Sequence, residues 1–116
     1  MTRALVLHPD IASDRARRDP QARLDEAVAL ARALPGLDVA GADVVALREA
    51  RPGTLFGPGK VDEVGARVAA EEIGLVLVDG PVTPVQQRNL ERAWKTKLLD
   101  RTGLILEIFS DRARTR

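Results

Sequence analysis

At 116 residues the chain is the size of one domain, and its 45% apolar and 30% charged content is that of a soluble, core-forming polypeptide rather than a disordered one. Eighteen Lys and Arg against seventeen Asp and Glu leave a net charge of +1, so overall charge gives no argument for nucleic-acid or membrane binding. With no cysteine and one histidine, His8, disulfides, thiolate zinc sites and histidine-based metal clusters are excluded or strongly disfavoured.

Residues 4–7 are a continuous apolar run, the pattern of a strand covered on both faces, as in a parallel sheet. The start is too short and too soon interrupted for a secretory signal, and no apolar run reaches bilayer length, so a cytoplasmic location and no membrane span are expected. Residues 9–18 are rich in Arg and Asp and read as a loop. Asp19 and Pro20 open a first helix as N-cap and first helical residue, with Leu24, Ala27, Val28, Ala31 and Leu34 at helical spacing; Pro35 and Gly36 stop it. Residues 37–47 are β-rich, with Gly41 a candidate bulge.

Residues 48–53 form a turn and residues 54–56 a brief extended piece. Gly57, Pro58, Gly59 and Lys60 start a second helix with Val61, Val64, Val68 and Ile73 on one side, ended by Gly74. Residues 75–79 are the clearest strand. Thr83, Pro84 and Gln86 form a capping box for a third helix whose apolar side is Leu90, Ala93 and Trp94. Residues 98–100 make a short fourth strand, and residues 104–113 a last helix containing Ile105, Ile108 and Phe109. The alternating order β-α-β-α-β-α-β-α predicts an α/β fold: a small, mostly parallel four-stranded sheet with helices packed on its faces, residues 1–116 forming one domain.

Three groups of residues could carry chemistry. The turn at Gly57, Gly59 and Lys60 offers a helix N-terminus to an anion, with Lys60 as a mobile charge. It is not an NTPase phosphate loop: one residue separates the glycines, and Val61 stands where a hydroxyl would hold magnesium. A plain helix start explains the same residues. His8, Asp79 and Asp100 fall at strand ends, where α/β crevices form, although turn and cap chemistry accounts for both aspartates. Arg88, Arg92 and Lys95 make a basic stripe on the third helix, followed by Lys97, Arg101, Arg112, Arg114 and Arg116. Such a stripe can meet RNA phosphates, or be a solvated face whose potential Glu91 reduces. No nucleophile, base and orienting group fall together, and neither catalytic nor metal-binding residues are assigned.

Residues 54–64 resemble the Gly-x-Gly-Lys-Val-x-Glu-Leu segment of the HflX GTPases. Residues 83–91 are similar to that family's Leu-Ser-Pro-x-Gln-x-Arg-Asn-Leu-Glu, and residues 100–115 to its Asp-Arg-Thr-x-Leu-Ile-Leu-x-Ile-Phe and Arg-Ala-x-Thr. The resemblance is loose over the whole chain and close from residue 54. It implies an N-terminal α/β domain that precedes a helical hairpin and a Ras-like GTP-binding domain, both outside this chain. It further implies association with the large ribosomal subunit, through ribosomal RNA and proteins, and control of the neighbouring GTPase domain. GTP and magnesium would belong to the full-length protein, and no cofactor is expected here. Some members are described as using ATP through this region, which keeps Gly57, Gly59 and Lys60 open as a nucleotide site.

Overall fold

A computed structural model describes residues 1–12 and 19–114, with backbone alone for 111–114. The elements are β1 (Thr2–Ile11), α1 (Pro20–Arg32), β2 (Leu37–Leu47), α2 (Pro58–Ala70), β3 (Leu75–Val78), α3 (Pro84–Trp94), β4 (Lys97–Asp100) and α4 (Arg101–Arg114). The four strands form one fully parallel sheet in the order β2-β1-β3-β4.

Both faces of the sheet are covered, which is why its central strands are continuously apolar. Leu5, Leu7, Val76, Val78 and Leu98 turn toward α2 and α3, meeting Val64, Val68, Leu90 and Trp94. Val6, Leu75 and Leu77 turn the other way, toward Leu24, Ala27 and Ala31 of α1 and Leu104 and Ile108 of α4. The bulge expected in β2 is present: the register passes from Ala4–Val39 to Leu5–Gly41, leaving Ala40 as the extra residue.

Several local expectations are corrected. β1 does not stop at residue 7 but pairs with β2 through Ile11, so residues 9–11 are strand rather than loop; residues 13–18 of that expected loop lie outside the described residues. Pro9 is tolerated there because the odd-numbered residues of β1 face β3: Arg3 O accepts from Gly74 N and Leu7 O from Asp79 N. The N–H that Pro9 lacks would point past the end of β3, where no ladder bond is lost. Residues 54–56 are a turn, not an extended piece. Arg51 and Leu55 exchange backbone hydrogen bonds, and buried Leu55 adopts the left-handed conformation at φ 63°.

The second helix ends at Ala70, with Glu72 rather than Gly74 in the left-handed position; Gly74 instead lets β1 approach, since a β-carbon there would lie 2.9 Å from Thr2 Cγ2. The last helix begins three residues early, at Arg101, because Asp100 Oδ1 accepts from Gly103 N at 2.8 Å as a cap. Two apolar faces also shift. Gln86, Leu90 and Trp94 are the buried side of α3 while Ala93 is exposed, and α4 buries Leu104 and Ile108 while Ile105 and Phe109 face outward.

Candidate functional site

The two motifs that stood apart in sequence, residues 51–60 and 83–91, interlock in space. The capping box at Thr83 forms as expected, its hydroxyl accepting from Gln86 N and the Gln86 carbonyl accepting from Thr83 N. The same Gln86 side chain then donates through Nε2 to Arg51 O at 2.7 Å. One turn later Asn89 Nδ2 donates to Gly53 O at 2.9 Å. The first turns of α3 thus clamp the loop that delivers Gly57 to the start of α2.

Gly57 is the N-cap of α2 and Pro58 its first residue. A β-carbon at Gly57 would meet only Arg51 Nε, at 3.8 Å, and one at Gly59 would meet nothing within 4 Å. Neither glycine has a positive φ, so the fold itself requires glycine at neither position. Lys60 is not poised over the helix end: its Nζ pairs with Glu63 Oε2 at 3.0 Å, one turn along. The residues do not fit a magnesium–nucleotide phosphate loop. No hydroxyl follows Lys60, and among the described residues no group of three His, Cys, Asp or Glu side chains could hold a metal ion.

α3 sorts its polar side chains into two sets. Gln87 Nε2 donates to Leu98 O at 3.1 Å, and Glu91 Oε2 accepts from Leu98 N at 2.9 Å, so these two side chains cover the free edge of β4. Glu91 is therefore tied to the edge of β4, and its carboxylate forms no ion pair with Arg88, Arg92 or Lys95 although its charge stays beside them. Arg88, Arg92 and Lys95 are all exposed, and among the described residues none of them makes an ion pair. Lys95 ends the helix in the left-handed conformation, φ 53°. The basic side chains of Arg112 and Arg114, and Arg116, lie outside the described residues.

His8 and Asp79 meet at the switch point of the sheet, where the winding of the chain reverses, since β1 leads outward to β2 and β3 outward to β4. His8 Nδ1 donates to Asp79 Oδ2 at 2.9 Å, a carboxylate being acceptor only. Arg101, which the sequence reading had not linked to this place, completes the group. Its Nε lies 3.0 Å from Asp79 Oδ1, and its Nη2 donates to Glu26 Oε1 at 3.1 Å. Asp100 is not part of this group; it caps α4. With the Asp79 side chain only 1% exposed and its charge answered by Arg101, the cluster ties β1, β3, α4 and α1 together. This chemistry is that of a buried brace.

A three-layer α/β domain with an all-parallel four-stranded sheet is a fold shared by many binding proteins, and the interlocked motifs narrow it. The model of the family described as GTP-binding GTPase N-terminal matches residues 21–110. The chain belongs to that family and is an N-terminal domain of the HflX GTPase type. It is 44% identical over 111 residues to the GTPase HflX of Magnetococcus marinus, covering 96% of this chain and 24% of that protein. It is 47% identical over 64 residues to the GTPase HflX of Escherichia coli, covering 55% of this chain and 15% of that protein. The chain thus spans at most about a quarter of these relatives. Among solved structures, SsGBP with GDP superposes with a TM-score of 0.70 at 19% identity, covering all of this chain and 31% of that one. A GTP-binding protein of Sulfolobus solfataricus with GDP gives 0.65 at 20% identity, over 95% of this chain and 30% of that one. At such identities the likeness speaks for the fold. No helix among the described residues is long and apolar enough to cross a membrane.

Proposed function

We propose that residues 1–116 form a non-catalytic binding and regulatory domain of a cytoplasmic HflX-type GTPase, which docks on the large ribosomal subunit and restrains the GTPase domain joined to it. GTP and magnesium belong to that other domain. The observation carrying this reading is the division of labour on α3: Gln86, Gln87, Asn89 and Glu91 hydrogen-bond within the fold, whereas Arg88, Arg92 and Lys95 are exposed and have no ion-pair partner among the described residues. Exposed cations along one helix face suit ribosomal RNA phosphates, which bind by counterion release. The test replaces Arg88, Arg92 and Lys95 with Glu in the full-length protein and measures co-sedimentation with large subunits at several salt concentrations. Loss of association and a shallower salt dependence are expected. Unchanged co-sedimentation refutes the assignment.

A second reading rests on the two glycines the fold does not require. Gly57 and Gly59 leave open space at the start of α2, where a purine nucleotide's phosphates could approach the first-turn amides, with Lys60 released from Glu63 to join them. On this reading ATP raises the melting temperature of the domain and Lys60→Ala removes the rise. The absence of any shift at millimolar ATP eliminates it.

A further inference from the structure

Between the C-terminal halves of α2 and α3 lies an open groove of about 410 Å³, a size ordinary for a small-ligand pocket. Buried Val68 and Trp94 form its floor, with Gly65 and Ala69 of α2 on one wall and Ala93 of α3 on the other. Gly65 keeps the walls apart. Its φ is not positive, and a β-carbon there would stand 3.4 Å from Trp94 Cδ1, at contact distance, so the backbone does not demand glycine. Glycine in mid-helix nevertheless weakens α2 relative to alanine. The groove also has polar handles. Ala93 O looks across at Gly65, 4.0 Å from where that β-carbon would be, and the last four carbonyls of a helix have no amide partner within it. Trp94 Nε1 is already donating, to Val61 O. Lys95 lines the groove, is exposed and has no ion-pair partner among the described residues; Arg92 and Arg88 continue from it along α3.

We propose that this groove seats one unpaired RNA nucleotide, its base between Gly65 and Ala93, its phosphate on Lys95 and the next phosphates on Arg92 and Arg88. This inference rests on the reading of the α3 stripe as an RNA-contacting face, and it adds what that face selects: an unstacked base rather than duplex. Three features choose the occupant. A slot walled by glycine and alanine fits a flat ring better than a branched aliphatic chain. Every base carries an N–H on its Watson–Crick edge that can donate to Ala93 O, and pairing in a duplex hides that edge. The backbone leaving the base then meets cations placed one helical turn apart. An apolar peptide would fill the slot but leave these cations unanswered, and a duplex would answer the cations but could not enter the slot. The acids nearby set the direction. Glu71 is ion-paired with Arg67 and Glu72 is exposed on the α2 side, whereas Glu91 is held at the edge of β4, so phosphate is favoured on the Lys95 rim.

The test uses the 116-residue chain and a short mixed-sequence RNA, single-stranded or annealed to its complement. Binding is read by the anisotropy of a dye on the RNA and by the emission of Trp94, the single tryptophan. The single strand should bind about tenfold tighter than the duplex and alter the Trp94 emission. Ala93→Leu and Gly65→Ala, which fill the groove, should remove that preference and leave duplex affinity as it was. Gly65→Ala should do so while raising the melting temperature, a combination that damage to the fold cannot produce. Equal affinity for the two RNAs, or a preference that survives both variants, overturns the proposal. So does a Trp94 response to a leucine-rich peptide but to neither RNA, which assigns the groove to a protein segment. The stripe and the groove fail separately. If Arg88→Glu with Arg92→Glu weakens both RNAs and ribosome co-sedimentation while the groove variants change nothing, the groove is wrong and the docking reading stands. If the single-strand preference depends on the groove, but charge reversal of Arg88 and Arg92 leaves co-sedimentation of the full-length protein unchanged, the nucleotide seat stands and the docking reading falls.

Discussion

Arg67 of α2 lies against Gly41 of β2, and the contact needs a residue without a side chain at position 41. A β-carbon there would run into the Arg67 guanidinium, with its Cζ at 3.0 Å, and press on Leu5 Cδ1 at 3.2 Å. In this place Arg67 pairs with Asp43 and donates through Nε to Glu71 Oε2 at 2.8 Å. Partial burial would lower its pKa, but the hydrogen bonds and negative charge of Asp43 and Glu71 outweigh that and hold the guanidinium above its ordinary value. Gly41→Ala should cost about 1 kcal/mol, most of it from moving the arginine off its partners, because those pairs are partly solvated. Calorimetry should show the penalty shrinking in an Arg67→Ala background. An undiminished penalty would place the strain on Leu5 instead.

Gln86 should matter more than Thr83, although both belong to one capping box. Thr83→Ala removes a cap and should lose about 1 kcal/mol. Gln86→Ala removes the other half of the box and also the clamp on Arg51 O, which then keeps only its bond from Leu55 N, in a turn that holds Leu55 at a costly φ of 63°; about 2 kcal/mol is expected. Urea midpoints compare the two, and equal losses would mean that the clamp on the 51–56 turn contributes nothing.

Asp79 is the centre of the brace. Asp79→Ala leaves Arg101 and His8 without their shared partner in a place where the Asp79 side chain is 1% exposed, and should cost about 3 kcal/mol. Arg101→Ala should cost less, since Arg101 is partly solvated and His8 still donates to Asp79. Denaturant unfolding gives both values. The reverse ranking would show that Arg101 holds α4 chiefly through Glu26.

Two exposed non-glycine residues, Glu72 and Lys95, both at φ 53°, close helices in the left-handed conformation. Replacing either with glycine should stabilise the domain by about 1 kcal/mol, by removing the clash of the β-carbon with the backbone. Only Lys95→Gly should also weaken ribosome co-sedimentation of the full-length protein, because only Lys95 belongs to the basic stripe. Stabilisation by both with equal retention of binding would remove Lys95 from the RNA-contacting set.

Much of this protein is determined by local chemistry that the chain displays openly. Asp19 and Pro20, then Thr83, Pro84 and Gln86, start helices by satisfying first-turn amides with side chains a few residues away, and the structure uses each as expected. Continuous apolar strands imply a sheet covered on both sides, so the α/β order was legible, as was the bulge at Gly41. What depended on distant neighbours was not legible. Pro9 reads as a strand breaker until β3 is known to end beside Leu7, and Gly74 reads as a helix stop until Thr2 packs against it. The candidate surfaces divide in the same way. Spacing alone put Arg88, Arg92 and Lys95 on one helix face, but only the folded chain shows Glu91 drawn away to the edge of β4 and Arg101 drawn in to Asp79. The physical reason is the range of the interactions. Caps and periodicity act over about one helical turn, while an ion pair or an exposed stripe is decided by which elements the sheet brings together.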